Sequence, residues 1–531
     1  MMETPLTLRM AYERARRLFP DVEIVTKTTD GPARTTWGAV CERAGRLASA
    51  LASLGIRPGD RVATFAWNSS RHLELYLAVS CMGAVLHMLN IRLHPEQVAW
   101  IANHAEDTIV FLDDSLLPAF EKVAPHLRSV KRFVVMGDGP LPETTLSPVV
   151  RYEDLIEESS PDFAWPELDE SDACAMCYTS GTTGDPKGVV YSHRSMLLHA
   201  LMSGMVDTNA ISQRDRCLPV VPMFHANAWG IPWAAALTGA TLVFPGPFMT
   251  PADIAALIVS ERVTMAAAVP TIWIGVLQEL EAKDLDFSSI DRILAGGAAV
   301  PLALIEAYAK RGITLIQGWG MTETGPLASV SKLKPKLETM SDRDRARYRA
   351  MQGVVVPGLE FRIVGDDGLP GAWDGKAMGE VQVRGPWIAR TYYNDPRSPA
   401  SWTEDGWLRT GDVAVVDPEG YIQLVDRTKD LVKSGGEWIS TVELENALMA
   451  HPKILEAAVI AVPDAKWSER PLACVVVKPG EAVTTEELIA HLEPSFAKWW
   501  LPDEVAFLDE IPKTSVGKFD KKVLRARFAT R

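Results

Sequence analysis

Short apolar runs alternate with helical stretches through most of this sequence, and that alternation limits the fold more than any other feature. From Trp37 to Leu54 the residues Trp37, Val40, Cys41, Ala44, Leu47, Ala48, Leu51 and Leu54 recur at helical spacing. Arg61–Ala66 then reads as a strand, Arg71–Met82 as a helix, Ala84–Leu89 as a strand, His94–His104 as a helix and Thr108–Leu112 as a strand. A second series places strands at Cys217–Val221, Thr241–Phe244, Met265–Val269, Arg292–Ala295 and Thr314–Gln317. Strands separated by single helices pair in parallel, with helices covering the sheet faces. Ligands of such α/β sheets bind beyond the carboxyl ends of the strands.

At 531 residues the chain is too long for one core. Near Gly353 the texture changes to short β-like runs, Phe361–Val364, Gly379–Val383 and Tyr421–Val425, bounded by Asp366-Asp367-Gly368 and Pro418-Glu419-Gly420 turns. The last hundred or so residues carry their own pattern, with strands at Leu455–Val462 and Leu472–Val477 and helices at Val442–Met449 and Thr485–Ala497. The fold class expected is therefore α/β. A large domain, 1–425, combines parallel sheets with a β-rich subdomain at 353–425. The charged run 426–430 is a junction, and 431–531 forms a small, mobile α+β domain. Lys332–Arg349 reads as a solvated excursion.

Where a strand should end, the sequence Tyr178-Thr179-Ser180-Gly181-Thr182-Thr183-Gly184-Asp185-Pro186-Lys187-Gly188 interrupts two apolar runs. Glycines allow tight turns with exposed N–H groups, which make an anion-binding concavity. The hydroxyls add donors, and Lys187 adds a point charge suited to phosphate. The loop thus reads as a polyphosphate holder. It is not a Walker loop, because Pro186 stands five residues after Gly181 and Gly188 follows the lysine. A net charge of −14 argues against nucleic-acid or anionic-membrane binding, so anionic ligands must be met by local donors. Cys174 and Cys177 form a C-x-x-C, but no second pair follows at metal spacing, and strand alternation points them to opposite faces. No secretory leader is apparent at the amino terminus, and no apolar run approaches the ~18 residues of a membrane span.

The loop resembles the phosphate loop of the adenylate-forming superfamily, which comprises acyl-CoA synthetases, peptide-synthetase adenylation domains and beetle luciferases. Four further segments match that pattern in order, so the resemblance covers nearly the whole chain. The first is Gln317-Gly318-Trp319-Gly320-Met321-Thr322-Glu323-Thr324. Glycines flanking an aromatic let a flat base approach, and a carboxylate is a hard ligand for Mg²⁺. The resemblance implies that Trp319 stacks on adenine, Thr322 bonds the α-phosphate, and Glu323 with Thr179 supports Mg²⁺. Gly297 and Ala298 would wall the adenine pocket, with Gln317, Gly318 and Gly320 alongside.

The second is Thr410-Gly411-Asp412, read as a turn whose Asp412 accepts ribose hydroxyls. The third runs from Asp426-Arg427-Thr428-Lys429-Asp430 through Lys433-Ser434-Gly435-Gly436-Glu437-Trp438. By resemblance Arg427 contacts the ribose, Lys429 is the hinge, and Gly435 and Gly436 line the pantetheine channel near Lys433, Glu437 and Trp438. The fourth, Pro512-Lys513-Thr514-Ser515-Val516-Gly517-Lys518, would deliver the Lys518 cation to the carboxylate and α-phosphate.

The segment Pro222-Met223-Phe224-His225-Ala226-Asn227-Ala228-Trp229-Gly230 selects the acid. Amino-acid-activating members carry an Asp here, whereas this chain has His225-Ala226. His225 and Trp229, one helical turn apart, are expected on one face. They line an acyl pocket with Asn227, Gly297 and Gly320, and His225 also stands near the reacting group. The segment resembles medium- and long-chain fatty acyl-CoA synthetases, and also ligases for methylmercaptopropionate, a short thioether acid. The expectation is a cytoplasmic acyl-CoA ligase, with a homodimer as the oligomer considered, using ATP, Mg²⁺ and coenzyme A on a small carboxylic acid. It would need neither nucleic acid nor an integral membrane segment. A carrier-protein-loading adenylation enzyme, a luciferase-like oxygenase and a non-catalytic nucleotide binder are the alternatives.

Overall fold

The computed structural model describes residues 1–179, 185–428, 430–434, 437–464, 466–513 and 519–528, with the side chains of 433, 437 and 438 outside that set. The chain divides into two compact units. One comprises Met1–Ala350, Val354–Glu360 and Arg384–Leu408; the other comprises Met351–Gly353, Phe361–Val383 and Arg409–Arg531.

The first unit holds two large sheets. A seven-stranded sheet runs in the order Val149–Arg151, Arg132–Met136, Ile109–Asp113, Arg61–Phe65, Val85–Met88, Ala173–Thr179, Lys187–Ser192. Every neighbouring pair is parallel except the last, an antiparallel hairpin. A nine-stranded sheet is built around the parallel strands Thr241–Phe244, Arg216–Pro219, Met265–Ala268, Arg292–Gly296 and Thr314–Gly320. Antiparallel strands finish each of its edges.

The helices start where the sequence supplies caps. The hydroxyls of Thr36, Ser69 and Ser192 accept from Ala39, His72 and Ser195 N–H groups, and Thr250 with Asp253 forms a capping box ahead of Pro251. Trp37–Ser53 buries Trp37, Val40, Cys41, Ala44, Leu47, Ala48 and Leu51, the apolar face read from the sequence. Between helices and nine-stranded sheet lies a core including Leu218, Val243, Ile254, Trp273 and Tyr308.

In the second unit a four-stranded sheet, Glu360–Val364, Gly379–Arg384, Leu408–Val416 and Ile422–Arg427, precedes a five-stranded one. The latter pairs Ile454–Asp464 antiparallel to Ser468–Val477 over a core of Leu444, Leu448, Val459, Val475 and Leu488. Two local expectations change. Thr410-Gly411-Asp412 lies inside the strand Leu408–Val416, because alternating Leu408, Thr410 and Asp412 continue into a buried apolar run ending at Val416. The helix expected to reach Ala497 stops at Leu492, with Glu493 as its cap, since Pro494 has no N–H to carry the hydrogen-bond ladder further. Among the described residues no helix is long and apolar enough to cross a membrane.

Candidate active site

The expected phosphate loop falls in sequence between the antiparallel strands Ala173–Thr179 and Lys187–Ser192. Register pairs Tyr178 with Gly188 and Thr179 with Lys187, so these last two stand opposite each other at its base. Ser180, Gly181, Thr182, Thr183 and Gly184 lie outside the described residues. The strand Ala173–Thr179 lies against the short turn Thr322–Thr324. Tyr191 on the hairpin donates through its hydroxyl to the Thr322 carbonyl at 2.7 Å. Glu323 is buried, and its Oε1 accepts from the Tyr392 hydroxyl at 2.7 Å. The Lys187 ammonium sits 4.5 Å above the same tyrosine ring. Thr179, Lys187, Thr322 and Glu323, far apart in sequence, are thereby drawn into one region of the first unit. The buried Glu323 carboxylate, with the Thr179 hydroxyl, fits Mg²⁺, which takes one or two carboxylates and fills its shell with phosphate oxygens and water.

The octapeptide begins within the strand Thr314–Gly320. A Cβ on Gly320 would run into the Pro326 carbonyl oxygen, so the reversal into Leu327–Val330 needs glycine there. Trp319 is mostly buried. Gln317 is 2 % exposed, and its Oε1 has no hydrogen-bond partner among the described residues. A buried acceptor left without a donor is costly unless a ligand satisfies it, which fits a nucleobase amine. Gly297 and Ala298 follow the strand Arg292–Gly296 and are exposed.

The acyl segment departs from the helix that its spacing suggested. Ala226, Asn227, Ala228 and Trp229 have φ of 38°, 49°, 51° and 56°. Four successive left-handed residues turn with the opposite hand, so the shared face inferred for His225 and Trp229 from a right-handed helix does not apply. Such backbone costs about 1–2 kcal/mol per residue and persists only where its surroundings over-determine it. Asn227 supplies one restraint: its Oδ1 accepts from the Cys177 thiol at 3.3 Å, and its Nδ2 faces the Met196 sulfur at 3.4 Å. That side chain is 1 % exposed. Burial pushes the Cys177 thiol up to about 12, so it stays protonated and can donate. The Trp229 ring lies against the end of the strand Arg292–Gly296, where a Cβ on Gly296 would come within 3.1 Å of it. His225 and Trp229 are half-buried.

Asn68, which carries no sequence signal, fixes the approach to this turn. Its Nδ2 donates to the carbonyls of Pro219 at 2.8 Å and Val221 at 2.9 Å, and its Oδ1 accepts from Met223 N–H at 2.7 Å. The Tyr76 hydroxyl donates to the Met223 carbonyl. Its partners lie about 150 positions away in the chain, so no local pattern marks it.

In the second unit, register sets Asp412 opposite Arg427, with Arg427 Nε donating to Asp412 Oδ1 at 3.1 Å. The Asp426 carboxylate accepts from Thr441 N–H at 2.7 Å. Lys521, in the helix Lys521–Phe528, pairs with Glu445 at 2.7 Å. Lys429, Gly435, Gly436 and Lys518 lie outside the described residues, as do the side chains of Lys433, Glu437 and Trp438.

Residues 12–393 match the AMP-binding enzyme family, and residues 443–518 match the AMP-binding enzyme C-terminal domain. The chain belongs to the AMP-binding enzyme family. It is 48 % identical to a long-chain-fatty-acid–CoA ligase of Thermus thermophilus, over 99 % of this chain and 96 % of that one. It is 43 % identical to a 3-methylmercaptopropionyl-CoA ligase of Ruegeria pomeroyi, over 99 % and 98 %. The fold is shared with the anthranilate CoA ligase AuaEII solved in complex with anthranoyl-AMP, with a TM-score of 0.88 at 24 % identity, covering 100 % of this chain and 98 % of that one. This family member is an AMP-forming acyl-CoA ligase, ATP-dependent and working through an acyl-AMP.

Proposed function

We propose that the ligase activates an unsubstituted medium- or long-chain fatty acid. The observation that carries this reading is the character of the turn at 223–229. Met223, Phe224, Ala226 and Ala228 are buried around a half-buried His225 and Trp229, and the turn contains no carboxylate to pair a substrate ammonium. The similarity to a long-chain-fatty-acid–CoA ligase supports the same acid. The similarity to a 3-methylmercaptopropionyl-CoA ligase keeps a second reading, a short thioether acid, in play.

The chemistry assigned to the chain's own residues is as follows. A carboxylate oxygen of the acid attacks the α-phosphorus of ATP, the bond to the β-phosphate oxygen breaks, and pyrophosphate leaves. Thr322 bonds the α-phosphate, Lys187 and the loop hydroxyls hold the departing phosphates, and Trp319 stacks on the adenine that Gln317 can accept from. Mg²⁺, held by Glu323 and Thr179, supplies charge neutralisation when bound. Asp412 and Arg427 bind the ribose. Lys518 meets the negative charge of the transition state. A thiol of coenzyme A then loses its proton and attacks the acyl carbonyl, and AMP leaves. The piece beyond 426–430 swings about Lys429 between the two steps, bringing Gly435 and Gly436 to the pantetheine. No covalent protein intermediate is needed, since binding and orientation carry the reaction.

The test is AMP formation, with and without coenzyme A, across straight-chain acids of two to eighteen carbons together with 3-methylmercaptopropionate. The highest kcat/KM is expected at eight carbons or longer. A maximum at 3-methylmercaptopropionate would replace the first reading with the second.

A further inference from the structure

Beyond the residues already given roles, Tyr392 joins two of them that the chain supplies from different places. It is 6 % exposed, its hydroxyl donates to Glu323 Oε1 at 2.7 Å, and its ring carries the Lys187 ammonium at 4.5 Å. The ring is itself fixed. Trp402 packs edge-on against it with centroids 5.1 Å apart, and Tyr392 N–H donates to Ser398 Oγ at 2.7 Å. The neighbouring backbone binds Glu323 again and the residue after Lys187: Ala389 N–H donates to the Glu323 carbonyl, and Tyr393 N–H to the Gly188 carbonyl, both at 2.8 Å. Arg397, paired to Asp395, reaches the Asp185 carbonyl at 3.2 Å. Residues 389–397 therefore strap the base of the hairpin to the turn carrying Glu323. A phenol hydroxyl bonded to a carboxylate restricts its rotation and leaves it anionic, and a cation over a ring face is held without being neutralised.

We propose that Tyr392 is a positioning residue for adenylation, whose hydroxyl orients the Glu323 carboxylate and whose ring holds the Lys187 ammonium ready for the triphosphate. This rests on the roles assigned above to Glu323 and Lys187. One side chain then sets both charges, the anion that meets the metal and the cation that meets the phosphates.

Two variants of the full chain separate these functions. Tyr392→Phe keeps the ring and loses only the hydroxyl. In calorimetric titrations of ATP without acid, so that nothing turns over, its Mg²⁺ half-saturation should rise about five- to tenfold, while ATP binding in EDTA stays at the wild-type value. Tyr392→Leu removes the ring as well and should also weaken ATP binding in EDTA severalfold. In both variants thioester formation from supplied acyl-AMP and coenzyme A should match wild type. A merely packed tyrosine would lower both half-reactions together and leave the Mg²⁺ midpoint of Tyr392→Phe unmoved, and that result overturns the proposal. Failure of the wild-type protein to bind ATP with any Mg²⁺ dependence would instead remove the roles of Glu323 and Lys187, and the proposal with them.

Discussion

Asn68 and Glu323 illustrate what single residues reveal in the sequence and what they conceal. Glu323 stands in an octapeptide whose glycines, tryptophan and carboxylate already suggest a base and a metal, and the fold buries it beside the hairpin. Glu323→Gln keeps the shape and removes the anion. Acyl-AMP formation should fall about 10²-fold or more, with a higher Mg²⁺ requirement, while thioester formation from supplied acyl-AMP survives. Asn68 has no such context, because its importance lies in backbone groups at 219–223 that only the tertiary fold brings near. Asn68→Ala leaves two carbonyls and one N–H unsatisfied in a buried place, costing roughly 1–3 kcal/mol. The KM for the acid should rise with little change in the KM for ATP, as steady-state kinetics would show. Tyr392 was equally silent, since its partners come from two distant segments.

Among the elements, those with strong period and caps were legible and those set by tertiary restraint were not. The helix Trp37–Ser53 and the strand Arg61–Phe65 follow from apolar spacing alone. The left-handed turn at 226–229 does not, because Ala226, Ala228 and Trp229 have no local reason to adopt positive φ and Asn227 alone tolerates it; the grip of Cys177 and Met196 on Asn227 is a long-range cause. Thr410-Gly411-Asp412 looked like a turn by composition but is a strand by pairing, and the pairing is what sets Asp412 against Arg427. The turn beyond Gly320 gives the sharpest test at this scale. In Gly320→Ala the new methyl meets a backbone carbonyl that cannot swing aside. The protein should lose about 1–3 kcal/mol in a denaturant melt. Adenylation should drop at least tenfold, because the displaced turn carries Thr322 and Glu323. A variant with wild-type adenylation would show that this turn tolerates movement.

The whole molecule also carries a pH signature. Burial pushes the imidazoles of His72 and His193 down to about 4 and that of His199 to about 3. Unfolded histidines take up protons near pH 6.5, whereas these folded ones stay neutral, so their contribution is intact above pH 6.5 and is lost as pH falls toward 4. Asp113, pushed up to about 7 by burial, acts in the opposite sense, keeping its proton in the folded state as pH falls from 7 toward 4. His199 Nε2 accepts from Leu327 N–H, a role that glutamine can take over. His199→Gln should flatten the fall in stability between pH 6 and 5 by up to about 1.4 kcal/mol per pH unit, read from urea unfolding at each pH. The alternation of strands and helices announced the parallel sheets of the first unit, and the loop at 178–188 suggested a polyphosphate ligand. What the loop alone left open was which phosphate bond breaks. The direct measurement is to incubate the protein with a fatty acid and ATP labelled at the α-phosphate, first without coenzyme A and then with it. The account predicts labelled acyl-AMP and one pyrophosphate per adenylate, then labelled AMP and an equal amount of thioester once coenzyme A is added. Labelled ADP with inorganic phosphate, marking transfer of the γ-phosphate, would contradict it.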